Sequence, residues 1–150
     1  GHQREAIIAL LFAADRLDHV ARIKERLAEG CVVVSDRYLP SSLAYQSVFC
    51  DLAWVKDLNR YAITPDLTIF LDVAPAVALA RVGGRPGAPE RYEKLETLTR
   101  VDRAYRAWLA DSDAQRLRSL DGTKPMSELA SLIQAEVMAL LGSQTRSNEP

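Results

Sequence analysis

The sequence predicts an α/β domain in which helices flank a parallel sheet, and three observations carry that expectation. Cys31–Ser35 and Leu67–Val73 are apolar, β-branched runs with no polar alternation, the pattern of strands covered on both faces. Segments with helical spacing lie before, between and after them, as crossover connections require. The chain has 150 residues, 48% of them hydrophobic and 26% charged, enough for one sizeable core and short for a second.

Each element has a local reason. Arg4–Glu29 contains no Gly or Pro, and Gly30 stands where a left-handed cap ends a helix, so one long first helix is expected. At about 100° per residue, Leu10, Ala13, Leu17, Val20, Ile23 and Leu27 share one arc, the expected buried stripe. Arg16 lies inside that arc, with Phe12 one turn earlier. After the first strand, a helix start is read at Ser41 and Ser42, and a short helix from about Asp51 carries Trp54, Val55 and Leu58. The second strand is entered through Pro65-Asp66, and Pro75 suits the first position of a helix from Ala76 to about Val82. Residues 83–89 (Gly-Gly-Arg-Pro-Gly-Ala-Pro) cannot be regular structure and read as a flap. A helix from about Glu90 to Ala110 follows, with Leu95, Leu98, Val101, Tyr105 and Leu109 inward. Gln115–Leu120 is a weaker strand pattern, and the Asp121–Pro125 turn leads to a last helix from about Ser127 to Leu141, with Gly142 beyond it. Residues 143–150 read as a polar, disordered tail.

Composition removes several function classes. With 19 Lys+Arg against 20 Asp+Glu the net charge is −1, so no global field draws nucleic acid or an anionic membrane, and neither is expected as a partner. The longest apolar run, Ala6–Ala14, falls well short of the roughly 20 residues of a membrane span. Two cysteines and two histidines offer no zinc spacing, and Cys31 is expected to be a buried, inert thiol. A reducing cytoplasm fits, and any metal would be a hard cation such as Mg held by carboxylate and phosphate oxygens.

In an open parallel sheet, ligands bind beyond the carboxyl ends of the strands. Asp36-Arg37-Tyr38 follows the first strand; its carboxylate and guanidinium suit a hydrated Mg ion and a phosphate, or form an ordinary ion pair. Arg85 and Arg91, on and after the Gly/Pro stretch, suit transferring phosphates, or belong to a solvated basic loop. Arg16 either pairs within a cleft or snorkels to a surface carboxylate.

From about Leu10 to Leu141 the sequence resembles thymidylate kinase, the family that phosphorylates dTMP with ATP. The resemblance rests on Leu11–Arg16, on Ser35–Tyr38 with Ser41–Gln46, on Pro65–Val73 and on Glu90–Glu93. It implies a P-loop NTPase-like parallel sheet. By the same resemblance, Phe12 stacks on the thymine ring, Arg16 and Arg37 grip the acceptor phosphate, and Asp36 works with Mg, through water or directly. Ser42, Tyr45 and Gln46 line the base and sugar pocket, and Tyr92 and Glu93 pack near the deoxyribose. Arg81 lies against the adenine of ATP, with Thr123, Lys124 and Pro125 as the other wall. Arg85 and Arg91 are the flap's phosphate-facing groups, and a homodimer through the first helix is implied. The chemistry is in-line phosphoryl transfer, in which positioning and charge stabilisation set the rate.

No G-x-x-x-x-G-K-[ST] loop occurs in the sequence. The resemblance therefore implies that residues 1–142 are the carboxyl-terminal portion of a nucleoside monophosphate kinase domain, with the first strand, P-loop and second strand of an incomplete sheet lying outside it. Two other readings stand beside this one: an inactive nucleotide-binding or dimerisation module, and a kinase of another nucleotide.

Overall fold

The computed structural model describes residues 2–82, 95–113 and 116–146. Its elements, in chain order, are α1 (His2–Ala28), α2 (Leu39–Gln46), α3 (Leu52–Leu58), β1 (Thr68–Asp72), α4 (Pro75–Val82), α5 (Leu95–Ala110), β2 (Leu117–Asp121) and α6 (Met126–Arg146). The expected α/β class holds: β1 and β2 pair in parallel from Thr68↔Leu117 to Asp72↔Asp121, joined by the α4–α5 crossover. Their carboxyl ends therefore lie side by side.

Local signals act where expected. Gly30 ends α1 in the left-handed region at φ 78°. Asp51 caps α3, its carboxylate accepting the Trp54 N–H at 2.9 Å, and Pro75 opens α4. Helix α2 packs against α5, where Ala44, Val48 and Val101 are buried and Tyr45, Phe49, Ala104 and Tyr105 pack around them. Val55 of α3 is fully buried.

The structure corrects several expectations. Cys31–Ser35 forms no strand: no other described segment pairs with it, and Val32, Val34 and Cys31 are exposed, so the Cys31 thiol is not the buried group expected. A β-branched run becomes a strand only when a neighbour takes its backbone hydrogen bonds. On α1 the buried positions are Glu5, Ala9, Ala13, Val20 and Ile23, while Leu10, Leu17 and Leu27 face out. The real seam is narrower than the apolar arc because α1 meets the small elements α2 and α3 along a single line. Leu95 is exposed at the start of α5. Helix α2 begins at Leu39, ahead of Ser41 and Ser42, because Pro40 opens the turn without a side-chain cap. Helix α6 continues through Gly142 to Arg146, since an exposed glycine only weakens a helix and Gly142 does not take the left-handed cap conformation. The flap stretch, with Arg85, Arg91, Tyr92 and Glu93, lies outside the described residues, as do residues 147–150.

Candidate functional site

The first turn of α2 gathers two arginines from different parts of the chain. Ser41 and Ser42 lie inside α2, and their hydroxyls take partners from outside the helix. Arg16 of α1 donates from Nη2 to Ser42 Oγ, and its Nε donates to Asn59 Oδ1 at 2.8 Å. The same guanidinium lies 5.0 Å from the centre of the Tyr38 ring, whose hydroxyl accepts the Ile63 N–H at 3.2 Å. Half-burial pulls the Arg16 pKa below its ordinary value, partly offset by Tyr38 and Asp15; the group stays charged at neutral pH.

Arg37 approaches from the loop before α2. Its Nε donates to Ser41 Oγ at 3.2 Å and its guanidinium stacks 4.6 Å from the Tyr45 ring. Its backbone has φ 61°, which among the described residues is the only positive φ outside glycine. A side chain held in that region costs about 1–3 kcal/mol and points to a position whose aim is constrained. Consecutive serines on one helical turn thus hold guanidiniums from two separate segments, and both arginines keep donors with no partner among the described residues.

A second cluster forms where β1 and β2 end. A cavity of about 430 Å³ is lined by Asp72, Arg106, Ser119, Asp121 and Thr123, among others. Arg106 bridges Asp72 at 3.1 Å and Asp102 at 2.9 Å, and these two carboxylates hold its pKa above the ordinary value. Asp121 accepts the Thr123 hydroxyl at 2.5 Å and the Thr123 N–H at 2.9 Å, which lowers its pKa. Arg81 donates to the Gly122 carbonyl at 2.9 Å, and Lys124 pairs with Glu128. Gly122 is required here: a Cβ would lie 2.5 Å from Val73 Cγ2 and 3.2 Å from the Asp72 carbonyl oxygen.

Helix α5 joins the clusters with consecutive residues. Tyr105 shares a 2.8 Å hydrogen bond with Ser41 and packs 5.4 Å from Phe70 of β1, while Arg106 reaches Asp72. About 100° separates neighbouring side chains on a helix, so one turn serves both sites.

The structure therefore brings Arg16, Arg37, Ser42 and Tyr45 together, with Gln46 buried one turn further along α2, its Oε1 without a hydrogen-bond partner among the described residues. Phe12 is exposed on α1 one turn before Arg16, and Asp36 is exposed with no ion pair or hydrogen bond among the described residues. Arg81, Thr123, Lys124 and Pro125 adjoin one another at the end of β2. Among the described residues, Tyr105 bonds the first cluster and Arg106 the second. Sequence reasoning missed Asn59, which reads as an ordinary helix end, and the polar roles of Tyr38, Tyr105 and Arg106. Only the unexplained arginine on the α1 arc hinted that a buried acceptor had to exist.

Comparison with known proteins gives one consistent result. A family model described as thymidylate kinase matches residues 2–133. A "Probable thymidylate kinase" of Staphylothermus marinus is 47% identical over 105 residues, which cover 69% of this chain and 52% of the relative. One from Metallosphaera sedula is 36% identical over 141 residues, covering 94% of this chain and 69% of the relative. The "Thymidylate kinase" of Lactobacillus helveticus is 39% identical over 136 residues, covering 85% and 64%. The chain spans about half the length of the curated relatives at the head of that comparison.

Proposed function

The chain belongs to the thymidylate kinase family, and from that premise we propose that it carries the acceptor pocket of an enzyme that moves the terminal phosphoryl group of ATP onto dTMP, giving dTDP for dTTP synthesis. The observation that supports this most directly is the pair of guanidiniums, Arg16 and Arg37, seated on Ser42 and Ser41 beside aromatic rings. Two anchored forks at one helix turn, that of Arg16 half-buried and that of Arg37 exposed, suit a phosphate monoester.

In this reading Arg16 and Arg37 hold the dTMP phosphate while the exposed ring of Phe12 stacks on thymine. Ser42, Tyr45 and Gln46 line the base and sugar, and the buried Gln46 Oε1 accepts an N–H from the pyrimidine edge. Arg81 and Thr123–Pro125 border the adenine of ATP. Arg85 and Arg91 face the phosphates, and Tyr92 and Glu93 the deoxyribose. Transfer is in line, so the residues act by position and charge and no strong base is needed. Among the described residues no group of three or more His, Cys, Asp or Glu side chains stands ready to hold a metal. The uncommitted carboxylate of Asp36 fits a Mg ion completed by water and phosphate oxygens, and Mg when bound neutralises phosphate charge. The exposed Ile7, Leu10, Leu11 and Leu17 of α1 suit a homodimer. Among the described residues no helix is long and apolar enough to cross a membrane, in keeping with a cytoplasmic enzyme.

The test is calorimetric titration with dTMP together with an assay of ATP-dependent dTDP formation. Binding with turnover upholds the reading; binding without turnover favours a nucleotide-binding module, and no binding of dTMP removes the assignment.

A further inference from the structure

We propose that Tyr105, which no part of the dTMP reading uses, is a positioning residue that aims the Arg37 guanidinium at the acceptor phosphate; the substrate half of this inference rests on that reading. Two contacts steer the Arg37 side chain: its Nε donates to Ser41 Oγ at 3.2 Å, and its guanidinium lies 4.6 Å from the centre of the Tyr45 ring. Both of these holders rest on one residue. Tyr105 Oη shares a 2.8 Å hydrogen bond with Ser41 Oγ, and its ring meets the Tyr45 ring edge to face, the centroids 6.3 Å apart and the planes at 86°. Tyr105 is in turn seated on Phe70 of β1, 5.4 Å away.

The backbone of Arg37 is fixed separately, at φ 61° with its carbonyl accepting the Ser35 hydroxyl at 3.1 Å. That places Cα but not the charge, because an exposed arginine has many rotamers of similar energy. Ser41 engages Nε, and the two terminal nitrogens make no hydrogen bond among the described residues, so the outer fork stays open to an anion. Whichever oxygen of the Ser41–Tyr105 pair donates, their bond fixes the Ser41 hydroxyl where the Arg37 Nε–H meets it. Without Tyr105 Oη, Ser41 Oγ is free to turn back toward the carbonyl one turn earlier, as helical serines commonly do, and the guanidinium loses its anchor.

The test measures dTMP and thymidine affinities by calorimetry in the wild type, Tyr105→Phe, Ser41→Ala and the double variant. It also follows solvent exchange of the Arg37 Nε–H by ¹⁵N NMR, the signal being assigned by its absence in Arg37→Lys. Tyr105→Phe keeps the ring on Tyr45 and Phe70 and removes only the hydroxyl, so it separates aim from packing. The expected result in Tyr105→Phe is a dTMP affinity about fivefold weaker with thymidine unchanged, and an Nε–H that exchanges at least about threefold faster. Adding Tyr105→Phe to Ser41→Ala should cost less than about twofold more, because the hydroxyl acts through Ser41. Unchanged dTMP affinity in Tyr105→Phe, an equal loss for thymidine, or the whole loss repeated in the Ser41→Ala background overturns the proposal. A wild type that binds dTMP no more tightly than thymidine, or binds neither, overturns the dTMP reading instead; the Nε–H signal then decides Tyr105 alone, faster exchange in Tyr105→Phe upholding the positioning role and unchanged exchange ending it.

Discussion

Ser41 Oγ and Tyr105 Oη lie 2.8 Å apart, a hydrogen bond that ties the first turn of α2 to the middle of α5 across 64 residues of sequence. Ser41 also accepts from Arg37, so the hydroxyl sits between a phenol and a guanidinium. Arg37 is thereby held by a contact that depends on the packing of α2 against α5, where Ala44, Val48 and Val101 are buried. Stability of the core and aim of the arginine are coupled through one oxygen.

That coupling makes Tyr105 a titration reporter. Burial raises its pKa above the ordinary phenol value, with the Ser41 hydrogen bond and the Arg37 charge acting the other way. A phenol whose folded pKa is raised contributes stability that is fully present below the unfolded pKa and is lost as pH rises through the folded one. Ultraviolet titration should find one tyrosine ionising later than free tyrosine, and that late step should vanish in Tyr105→Phe. Tyr105→Phe should also cost about 1 kcal/mol in urea unfolding, the usual worth of one lost hydrogen bond.

Arg37→Gly should separate stability from binding. Relief of a non-glycine residue at φ 61° is worth about 1–2 kcal/mol, against about 0.5–1 kcal/mol for the lost stacking on Tyr45 and about 0.5–1.5 kcal/mol for the lost hydrogen bond to Ser41, so the terms nearly cancel. The variant should unfold close to the wild-type urea concentration yet bind dTMP at least tenfold more weakly, as a site that holds strain for function would. A variant destabilised by about 2 kcal/mol or more would show that the conformation costs nothing.

Gln46→Met should behave in the same direction for a different reason. The buried Oε1 lacks a partner among the described residues, and leaving such an acceptor unmet costs about 1–3 kcal/mol. Replacing it with an apolar side chain of similar length should raise stability by about 1 kcal/mol. Preference for dTMP over dCMP should fall, since cytosine offers no ring N–H where thymine has one; an unchanged preference would place base reading elsewhere.

Two glycines should respond oppositely to Ala. At Gly122 the added methyl meets Val73 and the Asp72 carbonyl, so Gly122→Ala should destabilise by about 1–3 kcal/mol and disturb the β2 end that Arg81 grips. A Cβ added at Gly142 meets no described atom beyond its own helix within 4 Å and the residue is helical, so Gly142→Ala should stabilise by about 0.5–1 kcal/mol. Thermal melts of the two variants measure the contrast directly.

What the sequence determined by itself is what depends on a few consecutive residues. The left-handed Gly30, the Asp51 cap, Pro75 at a helix start and the apolar Leu67–Val73 run each act within about one turn or one strand, and each stands in the structure close to where it was expected. The gathering of Arg81 with Thr123–Pro125 and of Arg16 with Ser42 was legible only through resemblance to a family. Tertiary structure alone decided the rest. Cys31–Ser35 has the composition of a strand and pairs with no other described segment, because sheet hydrogen bonds need a second backbone. Leu17 and Ala13 look alike on a helical wheel, yet only Ala13 is buried, because burial is a property of two surfaces. Arg16 is the sharpest case: its charge and its place on an apolar arc demand a partner, but the partner is Asn59, 43 residues away, and no local pattern links them. A buried ion is satisfied by whichever dipole the fold carries to it, and that is settled only when the helices pack.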